Sequence, residues 1–358
     1  MCACHRLPRS QLHRMHLQSL LALIALALAY TFDFVNGFHD TANAVATVIY
    51  TKALRAPVAI VMSGVLNFLG CLTIGTAVAL VMTEVIPREH ISLSIILAVL
   101  LGSLAWNIYT WYHGIPVSSS HCLIGALFGA GVAANGAHGV DWSQLSQVLA
   151  ALLISPLAGF AGGAIVAAGV HKLIARLYPG SDLSRRSQPQ FMRWLQILSS
   201  AAVSFTHGSN DGQKTMGLIT LILATQFAAG GYTFDHVPMW VMVTTALAIG
   251  LGTTIGGWRV IRTVGTRISR EKLMYTHGFA AEFSTAVIIL TASLAGAPIS
   301  STHTLTSAVA GGTIPLHGPA KLNLKTLQQI FSAWALTLPV AAVLAAGLYS
   351  VLTFLGVH

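Results

Sequence analysis

From residue 17 onward, long apolar stretches alternate with short polar ones. Ten apolar stretches can be marked, five in each half: roughly 17–50, 57–82, 91–111, 117–137 and 147–170, then 194–225, 238–258, 275–296, 300–316 and 328–356. A membrane-crossing helix needs about 20 apolar residues, so the pattern predicts an all-α integral membrane protein. The first stretch is too long for one straight crossing and holds Asn36, Gly37, His39 and Asp40 in its middle. It is predicted to be a broken helix. The stretches after Pro116 and Pro298 are short and rich in Ser and Gly. They read either as crossings or as re-entrant hairpins, the latter only if the bundle buries their backbone.

The polar interruptions repeat. Phe34-Val-Asn-Gly-Phe-His-Asp40-Thr-Ala-Asn43 returns as Phe205-Thr-His-Gly-Ser-Asn-Asp211-Gly-Gln-Lys214, and Pro116-Val-Ser-Ser-Ser-His121 returns as Pro298-Ile-Ser-Ser-Thr-His303. Paired interruptions in the two halves of a membrane protein mark the substrate site of a transporter built by duplication. The chain divides accordingly into an N-terminal tail (1–16), a first transmembrane repeat (17–171), a basic linker (172–193) and a second repeat (194–358).

Charge sets the orientation. If each stretch changes side once, the loops near 52–55, 172–193, 259–272 and 321–325 share one face and hold 14 of the 19 Lys and Arg. The positive-inside rule makes that face cytoplasmic. Five changes of side per half make the second repeat enter from the opposite face, an inverted-topology repeat suited to alternating access. Arg6, Arg9 and Arg14 fit this poorly, and a translation start at Met15 would remove them. Residues 17–29 could pass for a signal peptide, but cleavage there would destroy half of the stretch carrying the first polar phrase.

Composition agrees: 54% of residues are hydrophobic, 8% are charged, and the mean hydropathy is +0.72. A soluble domain carries roughly 25% charged residues. The net charge of +9 lies mostly in loops and does not call for a nucleic-acid partner. Cys71 and Cys122 are expected as small core residues, and Cys2-Ala-Cys4-His5 is too slight a pattern for a metal site.

The repeated phrases carry the chemistry. Asp40 and Asn43, like Asp211 and Lys214, are spaced i,i+3 and face one way on a helix. An ionised residue at the bilayer centre costs on the order of 2.5–3.5 kcal/mol, so each is expected against a partner, an ion or water. Gly37 and Gly208 are expected to unwind their helices and free backbone donors for an anion. Asn36 and His39 align with His207 and Asn210, so a pseudo-twofold axis would set similar groups around one centre. Ser118, Ser119 and Ser120, and Ser300, Ser301 and Thr302, place hydroxyls at proline-started helices whose N-termini attract anions. Plain N-capping explains part of each run; His121 and His303 are further candidates for the site. No Gly-rich nucleotide loop is present, and no cofactor is expected.

These phrases resemble those of the inorganic phosphate transporter (PiT) family, and within it the bacterial low-affinity permeases. The resemblance runs from about residue 17 to the C-terminus. It rests on Asn36-Gly-Phe-His-Asp-Thr-Ala-Asn-Ala-Val-Ala-Thr-Val-Ile-Tyr50, His207-Gly-Ser-Asn-Asp-Gly-Gln-Lys214, Trp111-Tyr-x-Gly-x-Pro-x-Ser-Ser-Ser-His121 and Gly256-Gly-Trp-Arg-Val260. It implies secondary transport of inorganic phosphate by a homodimer with an inverted-repeat fold. Carried across by motif, Asp40, Asn43, Asp211, Ser118, Ser119, Ser300, Ser301 and Thr302 become substrate or cation ligands, and Ser120 joins them by its place in the run. Sodium-coupled members hold Asn in both signatures, whereas this chain has Lys214 in the second. An ammonium there can stand where a sodium ion would, which favours proton coupling, with His39 and His207 as proton carriers. Asn36 and Asn210 complete the expected cation site.

The resulting expectation is a phosphate:proton symporter of the inner (plasma) membrane. Two carboxylates beside an anion need a proton or cation between them, supplied by Lys214 and either a proton or a divalent metal bound to the phosphate. Sulfate or sodium-coupled phosphate transport are the alternatives. An intramembrane metal-dependent hydrolase using His39, Asp40, His121 and His303 is disfavoured, because no pair of these His has tight ligand spacing.

Overall fold

The structure, a computed structural model, describes residues 9–179 and 188–357, with side chains from His16 onward. Cys2, Cys4 and His5, and the middle of the 172–193 linker, lie outside the described residues. Twelve α-helices account for every apolar stretch: α1 (Arg9–Tyr50), α2 (Ala56–Thr73), α3 (Ala77–Thr83), α4 (Leu93–Tyr112), α5 (Ser119–Asn135), α6 (Trp142–Leu177), α7 (Gln190–Gln226), α8 (Met239–Ile255), α9 (Trp258–Thr266), α10 (Tyr275–Leu294), α11 (Ser301–His317) and α12 (Leu324–Phe354). Among the described residues, seven helices are long and apolar enough to cross a membrane, or eight if the bent pair α8–α9 counts as one span. Cys71 and Cys122 are buried free thiols.

The helix breaks are not where the polar phrases predict them. α1 and α7 continue through Gly37 and Gly208 without interruption. The breaks fall at Gly75 (φ 91°), between α2 and α3, and at Gly256 (φ 78°), between α8 and α9. The second turns the chain by 67°. Both glycines adopt a backbone conformation costly for other residues. Gly37 and Gly208 serve packing instead. A Cβ on Gly37 would strike the carbonyl of Ile249 in α8, and one on Gly208 would strike the carbonyl of Asn67 in α2. Small residues that let two backbones approach are how membrane helices associate where lipid removes the hydrophobic drive.

Packing is reciprocal between the halves. α2 lies against α7 and α8 against α1; α5 lies against α12 and α11 against α6; α4 and α10 fill the seam. α1, α2, α7 and α8 therefore form one bundle flanked by two helix pairs.

The short helices α5 and α11 begin in the protein interior. Each follows an extended segment containing Pro116 or Pro298 and is capped by Ser118 or Ser300, whose Oγ accepts from the backbone N–H of His121 or His303. Their N-termini are aimed at the middle of α1 and α7.

Candidate functional site

On α1, Asp33, Asn36, Asp40, Asn43 and Thr47 recur at intervals of three and four residues, making one polar stripe. On α7, Ser200, Ser204, His207, Asp211 and Lys214 do the same. All of these are buried, at 3% exposure or less. The two stripes face each other where the N-termini of α5 and α11 arrive.

The contacts follow the repeat. Ser119 Oγ donates to Asp40 Oδ2 (3.3 Å) and its counterpart Ser301 donates to Asp211 Oδ2 (3.0 Å). The next residue of each run crosses to the other half. Ser120 accepts from Lys214 Nζ, and Thr302 accepts from Asn43 Nδ2 (2.9 Å). Thr302 also donates to Asp40 Oδ1 at 3.3 Å. Each half thus binds one acid through its own hydroxyl and the i+3 residue of the other half through the next.

Lys214 is held by Asp211, by Ser120 and by the carbonyl of Ile299 (2.8 Å) in the second extended segment. One ammonium therefore ties α7 to the start of α5 and to the extended segment before α11. His39 Nδ1–H donates to Asp40 Oδ1 at 2.7 Å. His207 Nε2 lies 3.1 Å from Asp211 Oδ2 and 3.9 Å from Asp40 Oδ2. Asp40, His207 and Asp211 each offer one ligand atom within 4.8 Å of the others, a group that could hold a cation. Two carboxylates and one ammonium leave a net negative charge in a low-dielectric setting, and protons on the histidines or a bound cation would offset it. The two helix N-termini and the hydroxyls beside them supply the matching attraction for an anion.

Asp40, Asn43, Ser119, Ser120, Asp211, Lys214, Ser301 and Thr302 meet as the sequence predicts, with His39 and His207 beside them. Three expectations change. Because α1 and α7 are not unwound, Gly37 and Gly208 free no N–H groups, and the free helix N-termini near the acids are those of α5 and α11. Ser118 and Ser300 have their oxygens committed to capping. Asn210 is engaged elsewhere: it donates to Ser293 Oγ and the Ala297 carbonyl (both 3.1 Å) and accepts from Ile299 N–H (3.3 Å), fixing the extended segment before α11. Asn36 is buried beside the cluster with an unpartnered Oδ1. His121 and His303 lie one turn behind the hydroxyls, ring centroids 4.3 Å apart, with His303 stacked on Trp334 at 3.8 Å.

The motif reading missed Asn67, Asp33 and Glu282. Asn67 Oδ1 accepts from His207 Nδ1–H at 2.6 Å, which points Nε2 at the two acids. Glu282 accepts from Thr47 and, at 2.6 Å, from Ser199. Asp33 accepts from Thr215 at 2.9 Å. Each is a polar or charged residue inside a stretch marked as apolar, the signal that could have found it.

A helical membrane fold whose halves bring matched acids, hydroxyls and helix N-termini to one buried centre defines a polytopic membrane transporter. The chain belongs to the phosphate transporter family, whose sequence profile matches residues 36–345. A protein of Bacillus subtilis described as a probable low-affinity inorganic phosphate transporter is 39% identical over 94% of this chain and 98% of its own length. A Rhizobium meliloti protein of the same description is 39% identical, covering 92% and 95%. The low-affinity inorganic phosphate transporter PitA of Escherichia coli is 30% identical over 92% of this chain and 96% of its own; that alignment runs to 487 positions, longer than this chain. A solved structure described as the sodium-dependent phosphate transporter superposes with a TM-score of 0.81, covering 94% of this chain and 99% of that one at 24% identity, a likeness of fold.

Proposed function

We propose that this protein imports inorganic phosphate across the inner membrane together with protons, by alternating access. The observation that carries the reading is the crossed arrangement of the two hydroxyl runs on Asp40–Asn43 and Asp211–Lys214. Phosphate would sit between the N-termini of α5 and α11, accepting from Ser119, Ser120, Ser301 and Thr302 and from the first backbone N–H groups of both helices. Neutral hydroxyls suit an anion that must also leave, since they attract it without a fixed charge. At neutral pH phosphate keeps a proton that it can donate to Asp40 or Asp211; sulfate cannot, so the two acids favour phosphate.

The acids repel an anion unless their charge is offset. Lys214 offsets one and occupies the position that Asn43 holds in the other half, where a bound sodium ion would otherwise be needed. A proton on His39 or His207, or a divalent metal travelling with phosphate between Asp40, His207 and Asp211, would offset the other. All these groups are buried, as suits a closed intermediate. Rocking of the α5–α12 and α6–α11 pairs against the α1–α2–α7–α8 bundle would open either side in turn.

The test is uptake of radiolabelled phosphate by Asp40→Asn and Asp211→Asn in proteoliposomes. Each should fall to near background, and wild-type rates in both would remove these acids from the mechanism. Sulfate should compete only weakly; strong competition would reassign the substrate.

A further inference from the structure

Among the described residues, four acidic side chains are buried at 2% exposure or less: Asp33, Asp40, Asp211 and Glu282. The site accounts for Asp40 and Asp211, and both carboxylate oxygens of Glu282 accept hydrogen bonds from Thr47 and Ser199. Asp33 differs. It is 0% exposed, its Oδ1 accepts from Thr215, and its Oδ2 has no hydrogen-bond partner among the described residues. It forms no ion pair among them either.

Its position is informative. Asp33 lies seven residues before Asp40 on the polar stripe of α1, two turns or about 10 Å along the helix. If the loop at 52–55 is cytoplasmic, Asp33 lies on the outer side of the phosphate site. The groups facing it are Thr215 on α7, next to Lys214; Asp211 and His207 on the same helix; Cys71 of α2; and Tyr30 one turn back on α1, whose hydroxyl shares a hydrogen bond with Thr244 of α8. None of them is a cation within bonding distance of the free oxygen.

An unpaired ionised carboxylate in such surroundings is costly, and it is neutralised by whatever cation can reach it. We propose that Asp33 is the binding site of the coupling proton, outside the phosphate site and in electrostatic contact with it through α7. This rests on the proton-coupled reading above. Ionised Asp33 draws on the positive charge of Lys214 and opposes an incoming anion. Once Asp33 is protonated, that charge is free to act on phosphate. The coupling is reciprocal: phosphate binding must strengthen proton binding at Asp33 by the same factor. The step is one protonation of Oδ2 from the outer solution and one release to the cytoplasm, with no other bond made or broken.

The experiment compares wild type, Asp33→Asn and Asp33→Glu in proteoliposomes, with two readouts. Phosphate–phosphate exchange at equal pH needs no net proton movement, and Asp33→Asn should retain it. Phosphate accumulation driven by a pH gradient should be lost in Asp33→Asn, by about tenfold or more relative to wild type, and restored in Asp33→Glu. Accumulation by Asp33→Asn equal to wild type overturns the proposal and leaves the proton-coupled reading standing. A wild type that ignores the pH gradient overturns that reading and the proposal together. Should Asp33→Asn fail to fold, Thr215→Val decides. Loss of the donor to Oδ1 favours the protonated form, so half-maximal uptake should move to higher pH. An unmoved profile overturns the proposal.

Discussion

At the residue scale, the site is built from side chains whose partners lie far away in sequence. His207 is aimed by Asn67, 140 residues before it. Replacing Asn67 with Leu keeps the branched shape but leaves the buried Nδ1–H of His207 unpaired, a loss of about 1–3 kcal/mol. The rate of phosphate uptake by Asn67→Leu should therefore fall roughly tenfold, and an unchanged rate would show that the orientation of His207 does not matter. The repeated acids and hydroxyls were legible in the sequence because repetition set them apart. Asn67, Asp33 and Glu282 have no repeated counterpart, so only their polarity marked them. Asn210 was misread for a related reason: its alignment with His39 gave it a role in the acid cluster, whereas its amide group satisfies the backbone of the extended segment before α11.

At the scale of elements, the ten apolar stretches map onto the helices one for one or as broken pairs. The two proline-led segments become the short helices that point at the centre. The error concerned glycine. A glycine within an apolar helix either breaks it or admits another backbone, and these uses leave the same mark in one sequence. Gly75 and Gly256 break their helices; Gly37 and Gly208 admit α8 and α2. The choice depends on a neighbouring helix that periodicity does not reveal. Gly208→Ala would place its Cβ against the Asn67 carbonyl, a backbone atom that cannot move aside alone. Overpacking of this kind costs about 1–3 kcal/mol. The thermal midpoint of the purified protein should drop, and because the strained contact carries Asn67, uptake should drop with it. An unchanged midpoint would mean that the α2–α7 contact is looser than described.

For the whole molecule, one hydroxyl of each run binds the acid of its own half and the next reaches the signature of the other, so the candidate site belongs to neither half alone. This is why the doubling, more than any single motif, made the transporter family readable. Alternating access makes a labelling prediction: cysteine at position 301, in a chain otherwise stripped of Cys, should react with a membrane-impermeant thiol reagent from either side. Saturating phosphate should slow that reaction. Protection from neither side would put phosphate elsewhere. The central claim is phosphate transport driven by protons, with Lys214 in the place of a sodium ion. It is tested most directly by phosphate uptake into proteoliposomes of wild type and Lys214→Asn under a pH gradient or a sodium gradient, each applied alone. The account predicts that the pH gradient alone drives the wild type, that sodium adds nothing, and that Lys214→Asn loses pH-driven uptake. Wild-type uptake that requires sodium and ignores the pH gradient would contradict it.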